Sequence, residues 1–94
     1  MSEATVWRAK PSVIYTRLND GEGVLLCLEQ KAYFGLNETG CLVWDGVERG
    51  ATEQEMAAAL EQVYEISLEE AAAVVAEFTR QLERDGLVES AEAE

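Results

Sequence analysis

The stretch KAYFGLNETGCLVW, Lys31 to Trp44, decides how this chain is read. Its first part, Ala32-Tyr33-Phe34-Gly35-Leu36, is a short strand signal with no charge and no proline. Asn37 then stands at a junction, because its side chain can accept from the free amides of a helical first turn. The helix that follows directs Val43, Trp44 and Val47 toward a core, and Gly40 lets it pack closely. A strand of this kind at a sheet edge invites pairing with other chains, and natural edges often carry Lys, Glu or Pro to prevent it. Residues 32–36 carry none of those guards. The edge is therefore expected to be a working surface.

Upstream, VIYTRL (13–18) is β-branched and aromatic, NDGEG (19–23) is a turn cluster, and VLLCLE (24–29) is apolar on both alternating faces, as a central strand should be. Gln30 and Lys31 turn the chain into the strand already described. Three strands with short turns form an antiparallel meander in the order 1-2-3, with the third strand at an edge. Downstream, Thr52 with Glu55 makes a capping box for a second helix whose apolar face is Met56, Ala59, Leu60 and Val63, with Tyr64 at the margin. Ser67 caps a third helix, with Glu70 in the corresponding position. There Ala71, Val74, Val75, Phe78 and Leu82 fall in one narrow stripe, and Gly86 is the stop, with Leu87 packing back. The fold class is α+β: a three-stranded antiparallel β-sheet followed by three α-helices, winged-helix-like in layout. Residues 1–12 read as a loose arm with Trp7 as an anchor and Pro11 as a break, 13–88 as the domain, and 89–94 as a disordered acidic tail.

Charge and composition exclude several functions. The net charge is −12, and residues 52–94 hold most of it, with twelve acids against two bases. A winged-helix layout suggests DNA, but the would-be recognition helix offers only Arg80 and Arg84, so no nucleic-acid partner is expected. The longest apolar run, Ala71 to Ala76, is six residues, far short of a membrane span. The opening MSEATVWRAKPS has no apolar h-region, so no signal peptide is expected and the cytoplasm is the default compartment. Histidine is absent, and Cys27 and Cys41 sit in apolar settings as small hydrophobes. A zinc site or a cysteine–histidine nucleophile therefore has no material, and neither catalysis, metal nor cofactor is expected.

The run YFGLNETGCLVWDGV, the threonine-capped helix, YEIS, and a long helix closing in LERDGLV together resemble the PqqD-like proteins, known as RiPP recognition elements. The resemblance spans roughly residues 13–88, and its most specific part is Leu36-Asn37-Glu38-Thr39-Gly40 with Trp44 four residues on. It implies a non-catalytic module that binds the leader segment of a ribosomally made precursor peptide. The leader adds as a strand beside the third strand, in the groove between that strand and the third helix. Free-standing members of this length look most like those of lasso-peptide pathways. The implied partners there are a separate leader peptidase of the cysteine-protease type and a cyclase resembling asparagine synthetase.

The peptide-binding residues expected are Ala32, Tyr33, Phe34, Gly35 and Leu36 on the strand, and Glu70, Val74, Val75, Glu77 and Phe78 on the helix. Strand alternation sends Tyr33 and Gly35 outward if Phe34 and Leu36 face the core. Two edges flank the helical stripe, one with Glu70, Glu77 and Gln81, the other with Ala72, Ala76 and Thr79, and either could line the groove. An acidic edge suits a basic leader residue, whereas a small one admits a peptide backbone. The competing readings are a winged-helix adaptor and a small regulatory subunit that holds an enzyme and binds no free peptide.

Overall fold

In the computed structural model, which describes residues 5–18 and 21–92, the chain order is β1 (Thr5–Ala9), β2 (Val13–Arg17), β3 (Gly23–Cys27), β4 (Ala32–Leu36), α1 (Glu38–Arg49), α2 (Glu53–Tyr64), α3 (Leu68–Arg84) and β5 (Val88–Glu92). The central sheet is antiparallel in the order β2-β3-β4. Its register sets Leu25 opposite Phe34 and Leu26 opposite Tyr33. The middle strand alternates as expected for one buried face: Gly23, Leu25 and Cys27 are buried, and Val24 and Leu26 are half-buried on the other side.

The helices begin and end where the local chemistry requires. The Asn37 side chain accepts from the Gly40 amide at 2.8 Å, which satisfies an otherwise free donor at the start of α1. Thr52 and Glu55 bond reciprocally across the first turn of α2, the Thr52 amide donating to Oε1 at 2.9 Å and the Glu55 amide donating to Oγ1 at 3.1 Å. Ser67 accepts from the Glu70 amide at 3.0 Å. At the far end of α3, Gly86 adopts φ 76°, its amide donates to Glu83 and the Leu87 amide donates back to Leu82. This pairing closes the helix as a Schellman motif and buries Leu87.

The core lies between the inner sheet face and the helices, around Leu25, Val43, Trp44, Leu60, Val75 and Leu82. Tyr15 and Trp44 meet there at 6.3 Å between ring centroids. Burial above all raises the Tyr15 phenol above its ordinary range, with the Cys41 thiol adding to the effect. Arg17 reaches from β2 to Asp45 on α1 at 3.3 Å.

Two expectations need correction. The N-terminal arm and the C-terminal tail are not loose over their described parts: β1 and β5 pair antiparallel, with Trp7 opposite Ser90 and Ala9 opposite Val88. This ribbon is anchored by Trp7, whose indole N–H donates to the Glu53 carboxylate at 2.7 Å, and by a bridge between Val6 and Thr52. β1 opens on the β-favouring Thr5, Val6 and Trp7, but VESAE has no strand pattern of its own, and pairing with β1 makes it a strand. The remainder of the arm and tail, residues 1–4 and 93–94, lies outside the described residues. The second correction concerns α2. Its buried residues are Met56, Ala57 and Leu60, while Ala59 is half-buried and Val63 is 57% exposed. Glu53 forms the N-terminal end of the same face, held between Trp7 and Thr79.

Candidate functional site: an open sheet edge beside the third helix

Among the described residues β4 has a single strand neighbour, β3, so its other edge keeps an unpaired row of backbone donors and acceptors. Antiparallel ladders bond on alternate residues, so only every other amide of 32–36 is available to an incoming strand. The side chains alternate as well. Leu36 is buried, Ala32 and Phe34 are half-buried, and Tyr33 and Gly35 point outward, Tyr33 with 77% of its surface free. A Cβ added at Gly35 would meet nothing within 4 Å, so the outer side of the strand is open at that point.

α3 flanks this edge. Val74, Glu77, Phe78 and Gln81 surround a shallow cavity of about 310 Å³. Successive positions three or four apart share one helix face, which is why these four converge. The far end of the Phe78 ring lies over Gly40, only 2.6 Å from where a Cβ would stand, and Leu36 Cδ2 is 3.1 Å from the same point. Gly40 therefore seats Phe78 against the end of β4, with no room there for a side chain. At the other end, the side-chain Nε2 of Gln30, in the β3–β4 turn, donates to the Asp85 backbone carbonyl at 2.8 Å. The strand and the helix thus approach each other at both ends of an open groove.

The structure sorts the residues expected at this site. Ala32, Tyr33, Phe34, Gly35 and Leu36 form the edge strand. Val74, Glu77 and Phe78 share the cavity, whereas Glu70 is exposed one turn earlier and does not line it. Val75 is withdrawn from the surface: it is 0% exposed, on the core side of α3. The two edges of the helix have different neighbours. Glu77 and Gln81 border the cavity with Val74 and Phe78, while Ala72 and Thr79 face the start of α2, Ala72 beside Ala57 and Thr79 within 3.4 Å of Glu53. Gln81 joins Glu77 at the cavity, and the close-packing partner of Gly40 is the Phe78 ring.

A three-stranded sheet on three helices, with one bare strand edge beside a partly apolar helix face, defines a small α+β module of winged-helix-like layout. Residues 22–88 match the family described as coenzyme PQQ synthesis protein D (PqqD), and the chain belongs to that family. No curated protein matches the chain. Among solved structures, it is similar to TbiB1 in complex with the TbiA(beta) leader peptide. The two are 28% identical, with a TM-score of 0.81, over 87% of this chain and 94% of the other. A lasso peptide synthetase B1 complexed with its leader peptide shares the fold, with a TM-score of 0.80 at 24% identity over 88% of this chain and 96% of that one. No helix among the described residues is long and apolar enough to cross a membrane.

Proposed function

We propose that this protein is a RiPP recognition element: it binds the leader segment of a ribosomally made precursor, of the lasso-peptide type, as an extra strand beside β4. The observation that carries this reading is the unpaired β4 edge facing the Val74–Phe78 side of α3. Strand addition draws affinity from main-chain hydrogen bonds and selectivity from pockets that take alternate side chains. Here the bonds come from residues 32–36, and the pocket is the apolar floor of Val74 and Phe78, rimmed by Glu77 and Gln81. The likeness to TbiB1, which was solved with a leader peptide, supports leader binding by this chain.

The protein acts in the cytoplasm as an adaptor without catalysis. It presents the bound precursor to a separate leader peptidase of the cysteine-protease type, ahead of a lasso cyclase. Fluorescence anisotropy with a labelled leader tests the binding step. Saturable binding that a scrambled leader does not reproduce is the expected result, and no difference between the two peptides overturns the reading. The adaptor role is tested by incubating purified protein with precursor. Cleavage is expected only when the peptidase is added, and cleavage by this chain alone, surviving repurification, would refute a non-catalytic role.

A further inference from the structure

The start of β4 is tied to the end of α3 by a side chain that belongs to neither element. Gln30 stands in the β3–β4 turn, and its Nε2 donates to the carbonyl of Asp85, the C-cap of α3. Helix ends leave carbonyls without intrahelical partners. This end, however, is already closed by the Gly86 and Leu87 amides, which donate to Glu83 and Leu82. The Gln30 bond is therefore an addition to a finished cap, and among the described residues no other hydrogen bond joins that turn to α3. Two backbone features are shaped around it. Gly86, at φ 76°, has no Cβ, and one placed there would stand 2.9 Å from Gln30 Nε2. Lys31, next to Gln30, sits at φ 55°, a left-handed conformation that a residue with a long side chain keeps where its surroundings fix it. Asp85 is also tied to the cavity. Its carboxylate accepts from Gln81 Nε2 at 3.4 Å, and Gln81 lines the cavity with Val74, Glu77 and Phe78.

We propose that Gln30 is a positioning residue for leader binding: through Asp85 it latches the start of the edge strand to the helix that flanks it, and so holds both walls of the site in place before the peptide arrives. The inference rests on the leader-binding reading and adds to it a residue outside both the edge strand and the helix face. Its physical ground is pre-organisation. A docking strand loses part of its binding energy to ordering whatever in the site is loose, and a site already held loses less. The Leu36 end needs no such latch, because Phe78 is seated there over Gly40. At the Ala32 end the walls are an exposed turn and a helix terminus, the kinds of segment that open most easily. One hydrogen bond at that place acts on both walls together, since its donor precedes β4 and its acceptor carries the carboxylate that holds Gln81.

Gln30→Ala removes the latch at an exposed turn position, so the circular dichroism spectrum is expected to stay as it is. Leader affinity is expected to fall about three- to tenfold, the weight of one ordinary hydrogen bond. Leaders trimmed at one end or the other locate the effect. The loss should vanish for the peptide that lacks the residues beside Ala32 and Tyr33, and persist for the peptide that keeps them. A general weakening of the fold lowers the affinity of both alike. Gly86→Ala reaches the same bond from the helix side, by displacing Gln30. Its effect on leader affinity should disappear in the Gln30→Ala background, whereas its backbone strain should lower stability in both backgrounds. In the free chain, amide hydrogen exchange at residues 31–33 should quicken in Gln30→Ala. Unchanged leader affinity in folded Gln30→Ala overturns the proposal, and so does an equal loss for both trimmed leaders. If wild-type protein takes no leader, the leader-binding reading fails instead. Exchange at residues 31–33 in the free chain then still decides whether Gln30 holds the two walls together, and unchanged exchange overturns the latch itself.

Discussion

Replacing Gly40 by Ala isolates the groove from the fold. The new methyl would stand 2.6 Å from the tip of the Phe78 ring and 3.1 Å from Leu36 Cδ2. Carbon atoms settle at about 3.5 to 4 Å, so the ring must swing by about 1 Å. Phe78 is half-buried and its tip is the mobile end of the side chain, so the core need not rearrange to let it move. Overpacking costs about 1 to 3 kcal/mol, while alanine gains about 1 kcal/mol over glycine within a helix. The two effects leave a net destabilisation of about 0 to 2 kcal/mol, a fall in Tm of no more than about 15 °C for a domain of this size. Leader binding should respond more clearly, because the ring that moves forms the floor of the groove. A loss of about 1 to 2 kcal/mol corresponds to roughly 5- to 30-fold in Kd. Thermal melts followed by circular dichroism, together with leader anisotropy, separate the two effects. Adding Phe78→Leu should relieve the contact, and the double-mutant cycle should show a coupling of about 0.5 kcal/mol or more. A folded Gly40→Ala protein with wild-type leader affinity would refute the placing of Phe78 in recognition, and strict additivity with Phe78→Leu would refute the contact.

Proline scanning across 32–36 should alternate, with loss of leader binding in a folded protein where the amide points outward, and loss of the circular dichroism signal where it bonds β3. Full-strength binding at every tolerated position would remove the edge from the account. Replacing Glu70 and Glu77 by Gln should weaken binding of a basic leader by about 0.5 to 2 kcal/mol and flatten its salt dependence; Glu77 should account for most of this, since it alone of the two borders the groove cavity. Titrations at low and high ionic strength check it. Trp7→Phe removes the donor to Glu53 and should destabilise the β1–β5 ribbon by about 1.5 to 3 kcal/mol, the range for a hydrogen bond to a charged group. The loss should be visible as faster hydrogen exchange at residues 5–9 and 88–92, with leader affinity unchanged.

The elements of the domain are legible in the chain because their signals are local. Asn37, Thr52 and Ser67 cap helices through bonds to amides three residues away, and Gly86 ends α3 through its own backbone freedom. The uncharged run Ala32–Leu36 marks the edge strand by composition, and alternation alone sends Tyr33 outward. Tertiary contact decided the rest. β5 is a strand because it meets β1 across some eighty residues of chain, a pairing that no local pattern in VESAE announces. The stripe of α3 is visible by period, but the depth of each member depends on how the helix is rotated against its neighbours. Packing therefore put Val75 in the core, left Val74 and Phe78 half-buried and set Glu77, rather than Ala72 and Thr79, beside their cavity. Periodicity defines an angle around the helix axis, and only the elements packed against it determine which part of that angle water or a peptide can reach.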